Sequence, residues 1–267
     1  MRWLCPLLLL CGCTQGPVIA PGKIVSNNPC IDAVLAEISD PASIGAISRY
    51  SQDADGGSAP MRWAQRFPAI GFSAEEIIAA RPRLVLTGNY ASSGTNRALL
   101  KAGVRVKAFG VPATLAENRA QILAIASAIG RNAQGSALVE RIDAATRHST
   151  GTQTAIIWLT GGFVAGNGTI QDEMLARAGF RNASSLYGLK QWDVLPLETL
   201  VRNPPDVIFT PVSAHGDDAR ALALREQALL HLRPKTRTVA FPEKLLFCGG
   251  PTVIEAMQVM RAARGAL

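Results

Sequence analysis

Between Lys23 and Lys107, short β-branched runs alternate with amphipathic stretches. KIVSN, SIGAIS, RLVLT and VRVKAF read as strands, whereas PCIDAVLAEI, SAEEIIAA and TNRALLKAG place apolar residues at helical spacing. Such alternation predicts a parallel sheet with helices on its faces. The rhythm returns after Gln153 in TAIIWLT, IQDEMLARAG, DVIFTPV, an Ala/Leu-rich helix over 219–232, TRTVAF and a last helix from Pro251. The chain is therefore read as α/β, with two Rossmann-like lobes over 21–113 and 151–267.

Between the lobes, 114–150 carries almost no strand signal. Its apolar residues fall at helical spacing on both sides of Gly130, which predicts two consecutive helices. The second, over 132–148, would run about 25 Å at 1.5 Å per residue, long enough to brace one lobe against the other. An internal repeat supports two similar halves. Glu75 to Thr87 aligns without gaps on Glu198 to Thr210, each copy a Glu-headed helix, a Pro seven residues on, and a buried strand ending in Thr.

The first twenty residues change the cellular picture. One Arg, an apolar stretch from Trp3 to Cys11 and a polar, Pro-containing tail read as an export signal, too short to span a bilayer. Leu10-Cys11-Gly12-Cys13 is similar to the lipobox of bacterial lipoproteins, which marks Cys13 for lipidation; cleavage after Ala20 is the alternative. Segment 1–20 is thus a lipoprotein-type signal, and the location is periplasmic. Beyond it only Cys30 and Cys248 remain. In an oxidising compartment they are a candidate disulfide, with two thiols or a soft donor pair near a ligand as the alternatives.

Composition narrows the function. Apolar residues make up 48% and charged residues 18%, which supplies a core and excludes a disordered chain. The net charge is +7, but Arg and Lys are scattered singly, without the stripe that nucleic acid requires. No G-x-S-x-G elbow, phosphate loop, H-E-x-x-H or C-x-x-C is present, so no enzyme and no resident cofactor are expected. Gly161-Gly162 and Gly166-Asn167-Gly168 give only an incomplete dinucleotide fingerprint. His148, His215 and His231 are far apart, which argues against a dedicated metal cage.

Taken in order, KIVSNNPCIDAVL, IGAISRYS, SAEEIIAARPRLVLTGNY, the linker helices, GGFVAGNGTIQDEMLARAGFRNAS, LPLETLVRNPPDVIFTPV and TRTVAFPEKLLFCGGPTVIEAM resemble one family. It is the substrate-binding proteins of ABC importers for cobalamin, haem and iron-siderophore chelates, the class III periplasmic binding proteins, whose lobes are joined by a single long α-helix. The resemblance implies one chelate held between the lobes and delivered to an ABC permease with its ATPase subunits. Cobalamin or another corrinoid is the first expectation and a ferric siderophore the second. Haem is the alternative ligand, and an exported α/β hydrolase with His215 as base is the rival class. The family's transporter-docking glutamates fall on Glu75 and Glu198.

In open α/β sheets ligands lie beyond the carboxyl ends of the strands. That geometry selects loops that carry Asn28, Arg49, Tyr50, Trp63 and Tyr90 in the first lobe, and Phe163, His215 and Phe247 to Gly250 in the second, with Trp192 added as a ring face. Tyr50, Trp63, Tyr90, Phe163 and Trp192 would offer ring faces to a flat chelate. Arg49 would pair with an anionic group of the ligand, and His215 would act as an axial donor. Trp158, inside a strand, is assigned to the core.

Overall fold

The computed structural model describes residues 19–53, 57–89, 93–211, 219–232 and 235–265. Cys13, Tyr90 and His215, named above for lipidation and ligand contact, lie outside the described residues. Among the described residues no helix is long and apolar enough to cross a membrane.

The first lobe runs β1 (Ile24–Ser26), α1 (Pro29–Ile38), β2 (Ile44–Ser48), α2 (Met61–Ala64), β3 (Ala69–Ile70), α3 (Ala74–Ala79), β4 (Leu84–Gly88), α4 (Ser93–Lys101) and β5 (Val106–Phe109). Its strands form one parallel sheet in the order β3-β2-β1-β4-β5. The linker follows as α5 (Leu115–Ile129) and α6 (Asn132–Ala145). The second lobe contains β6 (Thr154–Ile157), β7 (Phe163–Ala165), α7 (Ile170–Ala178), β8 (Arg181–Asn182), β9 (Trp192–Val194), α8 (Leu197–Arg202), β10 (Val207–Thr210), α9 (Ala219–Leu232), β11 (Arg237–Ala240) and α10 (Thr252–Gly265). Here a parallel sheet of order β11-β10-β6-β8 is accompanied by an antiparallel ribbon, β7-β9.

Both main sheets are covered on their two faces, which is why their central strands read as continuous apolar runs. Ile24, Leu84 and Leu86 of the first sheet face the linker side, while Val25 and Val85 face Ile77 and Leu99 outside. The second sheet repeats this division, with Ile157, Val207 and Phe209 inward and Ile156 and Ile208 outward against Leu200 and Leu232. The inward sets join Ile122, Ile125, Leu138 and Ile142 of the linker helices in one apolar cluster. The linker is thus part of a core shared by both lobes, and opening the lobes there would expose apolar surface at about 25 cal/mol per Å².

Local chemistry shapes the linker. Thr114 caps α5 by accepting from Glu117 N, and Glu117 Oε2 accepts from Ala113 N, a variant of the capping box. Gly130 ends α5 at φ +72°, where a side chain would be strained. Gly135 lets α6 close on α5: a Cβ there would lie 2.4 Å from the Ala126 Cβ. Instead of extending to His148, α6 stops at Ala145, where both the backbone and the hydroxyl of Thr146 bind Ile142 O. Its 14 residues span about 21 Å. That suffices, because α6 packs on α1 of one lobe and α10 of the other.

Candidate functional site

Segments that follow β5 and β6 meet the loop before α10 at a seam beside the linker. There α1 begins directly after β1. Asn28 Oδ1 accepts from Cys30 N and Ile31 N, and Pro29 occupies the first turn, where its missing N–H costs nothing. Asn28 is buried and serves as the cap of α1. One residue into the helix, Cys30 is disulfide-bonded to Cys248, with Cα atoms 5.1 Å apart across 218 residues of sequence. The bond ties the first lobe to the loop that precedes α10. Beside it, Ser58 Oγ donates to Lys244 O at 3.0 Å.

Asp32, on the same helix, is fully buried below the β2 end. Its Oδ2 accepts from Ser48 N at 2.9 Å and from Ser51 Oγ at 2.6 Å. It thereby holds the turn that carries Arg49 and Tyr50. Burial raises its pKa to about 7, against the lowering effect of hydrogen bonds from Ser26, Ser51 and the Ser48 backbone.

In that turn Tyr50 is half exposed and stacks at a tilt on Phe72, ring centroids 5.9 Å apart. Arg49 lies 3.7 Å from Glu76 Oε2, so a ligand anion would compete with an internal carboxylate for it. Trp63 packs on Phe67 at 4.7 Å and against the shared core. Trp63 thus has a ring partner on its own lobe and remains partly exposed.

The second lobe supplies the exposed rings. In the β7-β9 ribbon Phe163 pairs with Val194 and Ala165 with Trp192. Directly opposed residues share a face, as do residues two apart, so Phe163, Trp192 and Val194 lie on one side. Phe163 and Trp192 are each 48% exposed. Trp158, by contrast, is buried under the Arg225 guanidinium, 4.6 Å from its ring centroid, while Arg225 also donates to Trp158 O and Leu159 O.

A cavity of about 410 Å³ opens at the seam. Val111 to Ala113 at the entrance to the linker form one wall, and Trp192, Leu246, Phe247 and the disulfide residue Cys248 form another. Thr169, Ile170 and Gln171 at the start of α7 close the end. Its surface is mainly apolar, with few polar groups, the usual make-up of a small-molecule site. Gln171 is one of them. Its Nε2 donates to Leu246 O at 2.8 Å, which fixes the amide, and its buried Oε1 has no hydrogen-bond partner.

Of the sequence-predicted residues, Trp192 and Cys248 line this cavity. Phe163 is carried on the same ribbon face as Trp192, and Tyr50 lies at the β2 end of the other lobe. Phe247, 52% exposed on the cavity wall, lies in the loop before the last helix that strand-end geometry selects from sequence, although it was not among the expected ring faces; Val111 and Gln171 were not singled out by sequence. The FCGG string offered a signal for Phe247, since glycines beside a ring before a helix leave that ring uncovered. Gln171 gave none.

On the outer helices, Ser73 caps α3 by accepting from Glu76 N, and Glu76 Oε2 accepts from Gly71 N. Glu75 is left exposed and needed by neither bond. Glu198 sits in the first turn of α8, which has no side-chain cap, and is also exposed. Among the described residues neither carboxylate has a salt bridge.

Two parallel-sheet lobes, joined by helices and enclosing a ring-lined seam, define a bilobal ligand-binding protein of class III architecture. The family model described as periplasmic binding protein matches residues 24–231. The chain belongs to the periplasmic binding protein family, the substrate-binding components of ABC importers rather than enzymes. No curated protein matches the sequence. Among solved structures, it is similar to the apo periplasmic haem-binding protein RhuT of Roseiflexus sp. RS-1, with 22% identity, TM-score 0.73, and 91% of this chain and 99% of that one covered. The periplasmic haem-binding protein HutB of Vibrio cholerae gives 17% identity and TM-score 0.74 over 91% and 98% of the chains. The haem-binding protein BhuT with two haems bound gives 24% and 0.66 over 90% and 96%.

Proposed function

We propose that the chain captures a haem-class metal chelate at the seam and delivers it to an ABC permease. The observation that carries the reading is the gathering of Trp192, Phe247, Val111 and Leu246 around one cavity at the strand ends. Solvent-facing rings there stabilise nothing in the empty protein, and a flat apolar macrocycle would cover them. Haem takes precedence over the corrinoid expected from sequence because similar folds are described as haem-binding. Tyr50 and Arg49 supply a phenol and a guanidinium from the facing lobe. A corrinoid is retained as second reading for one reason, the unpartnered Gln171 Oε1, which suits a ligand with amide donors better than one with carboxylates.

Glu75 and Glu198 are proposed to dock on the permease. A carboxylate in the first turn of a helix is favoured by the macrodipole yet still available to a partner's guanidinium. Lipidation of Cys13 would hold the protein at the membrane where that partner resides.

Calorimetric titration with haemin, cyanocobalamin and a ferric siderophore, alongside visible absorbance, tests the reading. One-to-one haemin binding with a shifted Soret band is the expected result. Binding of cyanocobalamin alone would replace the first reading by the second, and binding of none would refute both.

A further inference from the structure

Adjacent residues of a strand face opposite ways, and at the end of β6 this separates two cavities. Leu159 packs on the linker side and lines the seam cavity. Trp158 belongs to the outer apolar cluster with Val164, Leu195 and Leu200, and lines a second cavity of about 230 Å³. Among the described residues none lines both.

The second cavity is built around buried polar groups. Trp158 is 2% exposed, and its indole Nε1 has no hydrogen-bond partner among the described residues. An indole N–H can only donate, and leaving it unmet in the interior is destabilising. The buried Arg225 guanidinium, 4.6 Å from the indole centroid, forms the adjoining wall. Thr210 Oγ1, Trp158 O and Leu159 O accept from it and fix its position. Backbone chemistry keeps the approach to the indole open. Gly162 has φ +79°, a conformation that L side chains avoid, and a Cβ built there would stand 3.9 Å from Trp158 Nε1. Its carbonyl accepts from Leu195 N, which ties this turn to the aliphatic wall of Val194, Leu195 and Leu197.

A lone water does not match these features. Its share of volume is about 30 Å³ and it needs several polar partners, whereas aliphatic side chains line much of this cavity. A macrocyclic chelate fails for the opposite reason, because the space is smaller than the roughly 300 Å³ at which sites for drug-sized ligands begin. What fits is a small molecule with an acceptor at one end and an apolar body at the other. A permanently charged guanidinium beside the donor favours an anionic acceptor over a neutral one.

We infer that this outer cavity of the second lobe binds a small monocarboxylate, its carboxylate accepting from Trp158 Nε1 beside Arg225 and its apolar body lying against Val194, Leu195 and Leu197. The site is distinct from the seam and does not depend on what the seam binds.

The test titrates full-length, isotopically labelled protein with sodium benzoate and with benzamide, its uncharged counterpart, while the indole N–H resonances are followed by NMR. Trp158→Phe identifies the Trp158 signal by its loss. Benzoate should move that signal downfield and saturate in the millimolar range, binding about tenfold more tightly than benzamide. By calorimetry, Trp158→Phe should weaken benzoate binding about tenfold. Leu197→Trp, which fills the cavity from a partly buried position, should abolish it with melting unchanged. Saturating benzoate should leave haemin affinity within about a factor of two, as for sites that share no residues. A Trp158 signal that benzoate does not move, or wild-type benzoate binding by Leu197→Trp, would overturn the inference. Equal binding of benzamide would overturn the carboxylate as ligand class, and competition between benzoate and haemin would overturn the separateness of the site. Benzoate binding as expected in a protein that takes up no haemin would sink the chelate reading and leave this inference standing.

Discussion

Removing the Cys30–Cys248 bond by a double Cys→Ser substitution is expected to cost about 5 kcal/mol of stability at most, by the loop-closure model. The reason is topological: the bond spans 218 residues, so it restrains nearly the whole unfolded chain. At a few degrees per kcal/mol, the melting temperature should fall by about 10 °C. The bond also joins α1 to a wall of the cavity, so its loss should speed ligand release as the seam opens there. Urea melts of wild type and variant, with haemin dissociation rates for both, measure the two effects. A stability loss under about 1 kcal/mol would mean that the shared core and the linker helices alone hold the lobes.

Asp32→Asn is expected to reverse sign with pH. With a folded pKa of about 7 against an ordinary 3.8, the folded chain keeps a proton that the unfolded chain releases. This group's contribution to stability is therefore fully present below about pH 4 and is lost as pH rises toward and through 7. The integrated loss is on the order of 4 kcal/mol. Among the described residues the groups that hydrogen-bond the carboxyl are Ser26, Ser48 and Ser51, all uncharged, so none of them offsets its charge at high pH. Asn can still accept from Ser48 N and Ser51 Oγ but carries no charge. The variant should gain on wild type from about pH 4 to about pH 7, seen as a flatter dependence of unfolding free energy on pH. Parallel curves for the two proteins would show that Asp32 does not titrate as its burial requires.

Much of this architecture is written in the chain because central strands of doubly covered sheets are apolar throughout: IVS, LVLTG, AII and VIFT cannot be mistaken for surface. The β7-β9 ribbon was not visible. Its strands have three residues each, one set among glycines, and they pair across a gap filled by α7. Asn28 was read as a ligand group, and its cap role was also legible, because the Asn-Pro step marks a helix start. Trp63 was read as a ring face, and Phe67 four residues on gives it a partner on its own lobe besides. Trp192 was legible as an uncovered ring. Phe247 was legible only as part of a strand-end loop, and Gln171 not at all, because its free oxygen depends on how the loop before α10 meets α7.

The claim on which the rest depends is that the ligand lodges against Trp192 and Phe247. Haemin affinity of the Trp192→Ala/Phe247→Ala double variant tests it most directly. Loss of two ring contacts should raise Kd by at least about a hundredfold, at roughly 1.5 kcal/mol or more per ring, with an unchanged melting temperature because both side chains are half exposed. Wild-type affinity in that variant would place the ligand elsewhere and contradict the account.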